Sequence, residues 1–402
     1  MRRPTTKART NMKEDTRLIV AGRDPRSYHG AVNLPVYHAS TILFPTLDAH
    51  DAAYAARARD EQVVTYGLAG TPTSYALENA VAELEGGHRA LVYPSGLAAI
   101  AAAMLACLKS GDHVLMVDSV YEPTRLLCDG LLARFGVATT YYDPLIGGGI
   151  AKLLRPNTRV VFVEAPGSLT FEMQDIPAIA AAAHAAGALV VMDNTWASPL
   201  FFKPFAHGVD LSIQAGTKYL AGHSDLLIGT VTATKEAWPL LRDATRQLGQ
   251  GAGPDDMFLT LRGMRTLAVR LAHHQASGLK VAEWLQGRPE VTRVIHPALP
   301  GDPGHAIWRR DFLGASGLFA FELQPVSRQQ LAAMLDRMRL FGMGYSWGGF
   351  ESLLVPAREE RLRRRLHWDG KGPLLRIHIG LEAVDDLVAD LADGLGRLRA
   401  AA

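Results

Sequence analysis

The feature that most limits how this chain can fold lies between residues 98 and 214. There, alanine-rich helical stretches alternate with short, unbroken apolar runs. Ala98 to Leu108 reads as a buried helix, and after the turn Ser110-Gly111-Asp112 the run Val114 to Val117 reads as a strand. Arg159 to Val163 predicts another strand. Pro177 to Ala186 predicts a helix that Gly187 stops, followed by a buried strand from Ala188 to Met192 that ends at Asp193. Leu211 to Gln214 predicts one more, after the turn at Ala206-His207-Gly208. Strands separated by helices return parallel to one another, with the helices covering both faces of the sheet. Strands that are apolar throughout, not at alternate positions, agree with such burial. The expected class is α/β with a mainly parallel sheet.

Further on the pattern changes. From Phe258 to Leu285 runs a proline-free helical stretch with Arg262, Arg265 and Arg270 among leucines, read here as one connector helix. Beyond it, strands are expected at Gly317 to Leu323 and Leu374 to Ile379, and helices around Gln329 to Arg339 and Asp385 to Arg399. Two strand regions with flanking helices predict a smaller C-terminal α+β domain. The arginine-dense run Arg358 to Arg365, interspersed with Glu359 and Glu360, reads as a solvated helix face.

Composition removes several function classes. The 402 residues, 48% apolar, are ample for a real core, and 42 Lys+Arg against 40 Asp+Glu give no reason to expect nucleic acid as the ligand. The first 13 residues carry Arg2, Arg3, Lys7, Arg9 and Lys13 without an acid, and read as a flexible basic arm. Cys107 and Cys128 share no metal-binding or disulfide spacing and read as small buried hydrophobes, so no metal is expected. The longest apolar run, Ala98 to Leu108, is too short to span a bilayer. No membrane partner is expected, and the predicted location is cytoplasmic.

Ligands of open α/β sheets bind beyond the carboxyl ends of the strands, and three features fall there. Tyr93-Pro94-Ser95-Gly96-Leu97 is a strand-to-helix turn whose free N–H groups suit a phosphate. Asp193 follows an apolar strand directly, as a helix cap or as the partner of a buried cation. Lys218, in Thr217-Lys218-Tyr219, is a surface lysine or, if desolvated, a nucleophilic amine. Each has an ordinary reading by itself. As a set they suit a phosphorylated aldehyde cofactor, whose carbonyl needs an amine and whose ring nitrogen needs an acid.

At these residues the sequence resembles the Cys/Met-metabolism family of pyridoxal-phosphate (PLP) enzymes of fold type I, and within it the bacterial cystathionine β-lyase branch. The resemblance runs from about Leu18 to Leu398. It is carried by Ser212-Ile213-Gln214-Ala215-Gly216-Thr217-Lys218-Tyr219-Leu220-Ala221-Gly222-His223-Ser224-Asp225, by Glu83-Leu84-Glu85-Gly86-Gly87 and by Asp193-Asn194-Thr195-Trp196. His296-Pro297-Ala298-Leu299-Pro300-Gly301, Tyr345-Ser346-Trp347-Gly348-Gly349-Phe350-Glu351-Ser352 and Arg376-Ile377-His378-Ile379-Gly380-Leu381-Glu382 complete it. Trp347 in the Ser-x-Gly-Gly motif is similar to the β-lyase branch.

The resemblance implies a large domain with a seven-stranded, mainly parallel sheet over residues 63–257. A linker helix and small domain would follow over 258–402, after an N-terminal segment, 1–62, that contacts a neighbouring subunit. Lys218 would hold PLP as a Schiff base and then serve as general base, and Asp193 would keep the pyridinium nitrogen protonated. Tyr121 would stack on the ring, help deprotonate the incoming amine and meet the substrate. Gly96 and Leu97, helped by the Thr217 hydroxyl, would hold the phosphate, and Tyr66 would reach the phosphate in the neighbouring subunit. Arg376 would clamp the substrate α-carboxylate, with Ser346 and Trp347 lining the substrate side. The implied assembly is a homo-oligomer, a tetramer built as a dimer of dimers.

The implied activity is β-elimination of L-cystathionine in methionine biosynthesis. A γ-elimination or γ-replacement enzyme, a lyase for another thioether amino acid, and a silent PLP-binding paralogue are the alternatives. Two positions depart from the family pattern. Leu68 stands where the family commonly has an arginine, removing a phosphate ligand worth roughly 1.5–3 kcal/mol. Ala215-Gly216-Thr217 replaces a Ser-x-Thr pattern ahead of the lysine. Either another cation compensates for Leu68 or the cofactor binds less tightly.

Overall fold

The computed structural model describes residues 12–358, 361–362 and 368–401. Arg2, Arg3, Lys7 and Arg9 of the basic arm and most of the run Arg358 to Arg365 lie outside the described residues.

Seven strands form the large sheet: β1 (Arg89–Tyr93), β2 (His113–Val117), β3 (Ala138–Tyr142), β4 (Thr158–Glu164), β5 (Leu189–Asp193), β6 (Leu211–Gln214) and β7 (Gly229–Ala233). Their spatial order is β1-β7-β6-β5-β4-β2-β3. β2 pairs in parallel with β3 and β4, and β5 with β4 and β6, whereas β7 runs antiparallel between β1 and β6. The reversal of β7 follows from its connection, because a loop without a helix crossover returns the chain beside β6. All residues of β2, β6 and β7 are buried, the polar Ser212, Gln214, Thr230 and Thr232 among them, as strands covered on both faces are. The helix Gly96–Cys107 lies against this sheet through Ala99, Ile100, Ala102, Ala103 and Met104, the three alanines allowing a close approach.

The stretch expected as one connector is two helices, Pro254–Met264 and Leu267–Gln286. No proline breaks it; packing does. A Cβ on Gly263 would lie 2.1 Å from the Ala221 carbonyl, so this helix end presses directly on the Lys218 loop. The Gly263 carbonyl accepts the Thr266 N–H at 3.1 Å and also Arg270 Nη2 at 2.8 Å, which bonds the Tyr219 carbonyl at 2.8 Å as well.

The second sheet contains the two expected strands, β9 (Leu318–Leu323) and β11 (Leu374–His378), with two others. These are β8 (Val291–Ile295) and β10 (Leu353–Pro356), and the antiparallel order is β10-β11-β9-β8. Both additions are short edge strands, and Pro356 ends one of them, as prolines in sheets do. The helix expected to reach Arg339 stops at Leu335, and the buried Asp390 carboxylate accepts the Leu340 N–H at 2.8 Å beyond it. Helix Val384–Ala400 matches the expected one within two residues. No described helix is long and apolar enough to cross a membrane, and no group of metal-ligating side chains occurs among the described residues.

Candidate active site

The carboxyl ends of β4, β5 and β6 lie side by side, with Glu164 in register opposite Asp193. Asp193 does not cap the next helix, whose N-cap residue Ala197 makes no side-chain bond. Its Oδ1 instead accepts the Thr195 N–H at 3.0 Å and the Thr195 hydroxyl at 2.5 Å. The same Thr195 oxygen accepts the Ala215 N–H at 2.9 Å, tying the acid to the loop that carries Lys218. Burial pushes the Asp193 carboxyl above its ordinary value, opposed by the Thr195 bonds and the Lys218 charge. Beneath it, Glu85 accepts from the Ser212 hydroxyl at 2.7 Å and from Gln214 Nε2 at 2.9 Å. Gln214 Nε2 also reaches the Asn194 carbonyl at 3.1 Å.

Lys218 Nζ donates to the Ser346 hydroxyl at 2.6 Å and stands 5.3 Å from the centre of the Trp347 ring. Burial, reinforced by the Arg376 charge and opposed by Asp193, lowers its pKa to about 8. The amine is thus far closer to neutrality at physiological pH than an ordinary lysine. Arg376 on β11 donates from Nη2 to the Ser346 carbonyl at 3.0 Å, and burial brings its pKa down to about 10, so it stays charged. Ser346 therefore meets the amine with its side chain and the guanidinium with its backbone. It does so in the left-handed region, at φ +83°. Gly348, at φ +86°, takes a backbone that favours glycine, and a Cβ there would crowd the Lys218 carbonyl carbon at 3.0 Å. Trp347 packs on Tyr219, ring centres 5.4 Å apart.

Tyr121 is held by its backbone N–H, which donates to Glu164 Oε2 at 2.8 Å, and its side chain is 43% exposed. Burial and the nearby Asp193 and Glu164 charges raise its pKa, against Arg361 and Arg376. The phenol is therefore protonated at neutral pH. Ser95 caps the helix Gly96–Cys107, accepting the Ala98 N–H at 3.1 Å, so the N–H groups of Gly96 and Leu97 come before the first capped donor. A Cβ on Gly96 would lie 2.6 Å from that of Ala215. Only glycine lets this helix start lie against the lysine loop.

Among the residues singled out from the sequence, Lys218, Ser346, Trp347 and Arg376 come together directly. Asp193 and Tyr121 are coupled to them through charge. Thr217 is placed differently: its hydroxyl donates to the Ile228 carbonyl at 3.2 Å and accepts the Ile228 N–H at 2.9 Å. Both bonds tie the Thr217 hydroxyl to the backbone that leads into β7. Tyr66 and Leu68 are exposed and line a separate cavity of about 740 Å³ with Tyr37, Tyr75, Glu78 and Arg246. Thr195 and Glu164 escaped the sequence reading. Each sits at a strand end beside Asp193, which was the available signal.

An amine of lowered pKa, a buried carboxylate, an open aromatic face and two helix-start N–H groups beside the amine's loop fit the aldehyde, ring nitrogen, ring face and phosphate of PLP. The comparisons agree. The Cys/Met metabolism PLP-dependent enzyme family matches residues 15–396. Cystathionine beta-lyase MetC of Escherichia coli is 47% identical over 96% of this chain and 99% of its own. An L-alanine/L-glutamate racemase of Wolbachia pipientis is 42% identical, over 96% of this chain and 98% of its own. The solved structure of cystathionine gamma synthase from Xanthomonas oryzae in complex with cystathionine superimposes with a TM-score of 0.89 at 32% identity. It covers 97% of this chain and all of the other, 100%.

Proposed function

The chain belongs to the Cys/Met metabolism family of PLP-dependent enzymes, and we propose that within it this protein is a carbon–sulfur lyase acting on L-cystathionine. β-Elimination with uptake of one water would give homocysteine, pyruvate and ammonia. The observation that carries the reading is the convergence of Lys218 and Arg376 on Ser346. A guanidinium that takes the substrate α-carboxylate then sets the Cα–H bond beside an amine poised to accept its proton. When bound, PLP supplies the electron sink that makes this proton removable.

The chain's own residues do the rest. Ser346 aims the Lys218 amine, and the lowered lysine pKa leaves a usable fraction of free base at neutral pH. Asp193, kept from water and fixed by Thr195, places a negative charge where a ring nitrogen needs a proton held. Arg376 offers the planar, two-pronged donor that a carboxylate fits and that a lysine lacks. Tyr121 suits stacking and proton donation to the departing sulfur better than the base role the resemblance implies, because its pKa is raised.

The same reading makes the active unit a homo-oligomer, a dimer or a dimer of dimers. Tyr66 lines a cavity whose lining does not include Lys218 of its own chain, and the helix Leu47–Ala58 buries none of its residues within the chain. Leu43 and Leu47, at 88% and 73% exposure, leave apolar surface for a second copy to cover.

Identification of the keto acid tests the activity. Pyruvate from L-cystathionine supports β-elimination, and 2-oxobutyrate would assign a γ-eliminating enzyme instead. The 42% identity to a racemase favours one second reading, since racemisation begins with the same Cα proton transfer. Faster interconversion of alanine enantiomers than pyruvate release would select it.

A further inference from the structure

Arg358 and Arg361 belong to the arginine-dense run near the end of the chain, and neither has a part in the chemistry above. Arg361 nevertheless faces the site. Its Nε pairs with the carboxylate of Glu122, the residue after Tyr121. Its guanidinium also lies 5.9 Å from the ring centre of Tyr345, the residue before Ser346. Arg358 approaches the same ring at 5.9 Å. Leu362, next in sequence, is 5% exposed and joins the hydrophobic core, which anchors the backbone at Arg361. The charge is felt inside the site, where Arg361 lowers the pKa of both Tyr121 and Arg376.

L-Cystathionine has two amino-acid ends. Arg376 accounts for the carboxylate at the reacting end, and none of the residues placed in the site above accounts for the far one. A guanidinium carries five N–H donors in one plane, so pairing at Nε with Glu122 leaves the Nη groups for a second carboxylate. We propose that Arg361, steadied by Glu122 and Tyr345, binds the distal carboxylate of a dicarboxylic thioether amino acid and so sets the preference for cystathionine over S-alkyl cysteines. This rests on the lyase reading and names the part of the site that selects the substrate.

The test compares pyruvate formation from L-cystathionine and from S-butyl-L-cysteine, which has an uncharged tail, by the wild type, Arg361→Ala and Arg361→Glu holoenzymes. In Arg361→Ala the ratio of kcat/KM for the two substrates falls about 10- to 100-fold, mainly through KM, as loss of a charge-assisted pair requires. Arg361→Glu shifts the preference toward S-(2-aminoethyl)-L-cysteine, whose tail is cationic. Continued turnover of the neutral substrate certifies that the variants fold. An equal loss for both substrates, with the ratio kept, overturns the proposal and leaves Arg361 a mere support for Tyr121. A wild type that releases pyruvate from neither substrate overturns the lyase reading itself.

Discussion

The Lys218 amine and the Ser346 hydroxyl, 128 residues apart in sequence, are joined at 2.6 Å, so a loop of the large sheet and a turn of the small domain share one hydrogen bond. The reactivity of the amine therefore depends on both halves of the molecule.

With its pKa near 8, Lys218 reacts as a free amine at a pH where an ordinary lysine is almost wholly protonated. The rate at which cofactor-free protein takes up PLP is expected to rise with pH, to be half-maximal near pH 8 and to level off above about pH 9, as stopped-flow absorbance can record. Lys218→Ala abolishes the covalent absorbance band and lowers turnover about 1,000-fold or more, since it removes both the attachment point and the base. A variant keeping both would sink the assignment.

Ser346 holds a left-handed backbone that an L-residue adopts at a cost of roughly 1–2 kcal/mol. Ser346→Gly and Ser346→Ala both lose the bond to Lys218, but only glycine relieves the backbone. The glycine variant should be the more stable by about 1 kcal/mol in urea unfolding. Both variants should show the PLP-uptake profile displaced, because the amine has lost the same partner.

Glu78 gives the fold a pH dependence of unusual sign. Burial pushes its carboxyl up from 4.5 to about 8, with Gln62 and Arg89 opposing. The native state thus keeps a proton that the unfolded chain has given up. Its contribution to stability is full below about pH 4.5 and lost as pH rises through 8. Glu78→Gln carries no such proton, so its Tm relative to the wild type should climb between pH 5 and pH 8. A constant difference across that range would contradict the burial argument.

If Tyr66 completes the site of a neighbouring subunit, two dead variants should rescue each other. Mixing Tyr66→Ala with Lys218→Ala and allowing subunits to exchange leaves half of the dimers hybrid, each with one intact site. Recovery of about a quarter of wild-type activity is expected for a two-fold dimer. No recovery, with exchange verified by mass labelling, would place Tyr66 in a role within its own chain.

Much of this was legible in the sequence because strand–helix alternation places chemistry at strand ends. Asp193 and Lys218 could be located that way, one apolar strand at a time. What escaped depends on contacts between distant segments. The break at Arg265 and Thr266 has no helix-breaking proline; it comes from Gly263 pressing on Ala221, over 40 residues earlier. Thr217 has the right side chain in the right motif, yet its hydroxyl turns to Ile228. The Arg361–Glu122 pair joins two segments that no local pattern relates. Edge strands β8 and β10 were missed because a few residues beside a turn give a weak periodic signal.

The antiparallel β7 has a consequence for how the working parts are encoded along the chain. It closes the Lys218 loop within the sheet by Ala233, after Gly96, Tyr121 and Asp193 have already been laid down. Ser346 and Arg376 come only after the second sheet is begun. During synthesis the groups for the cofactor leave the ribosome first and the substrate clamp last. A chain cut short of β11 would still carry the amine and its acid, with nothing to hold an amino acid against them.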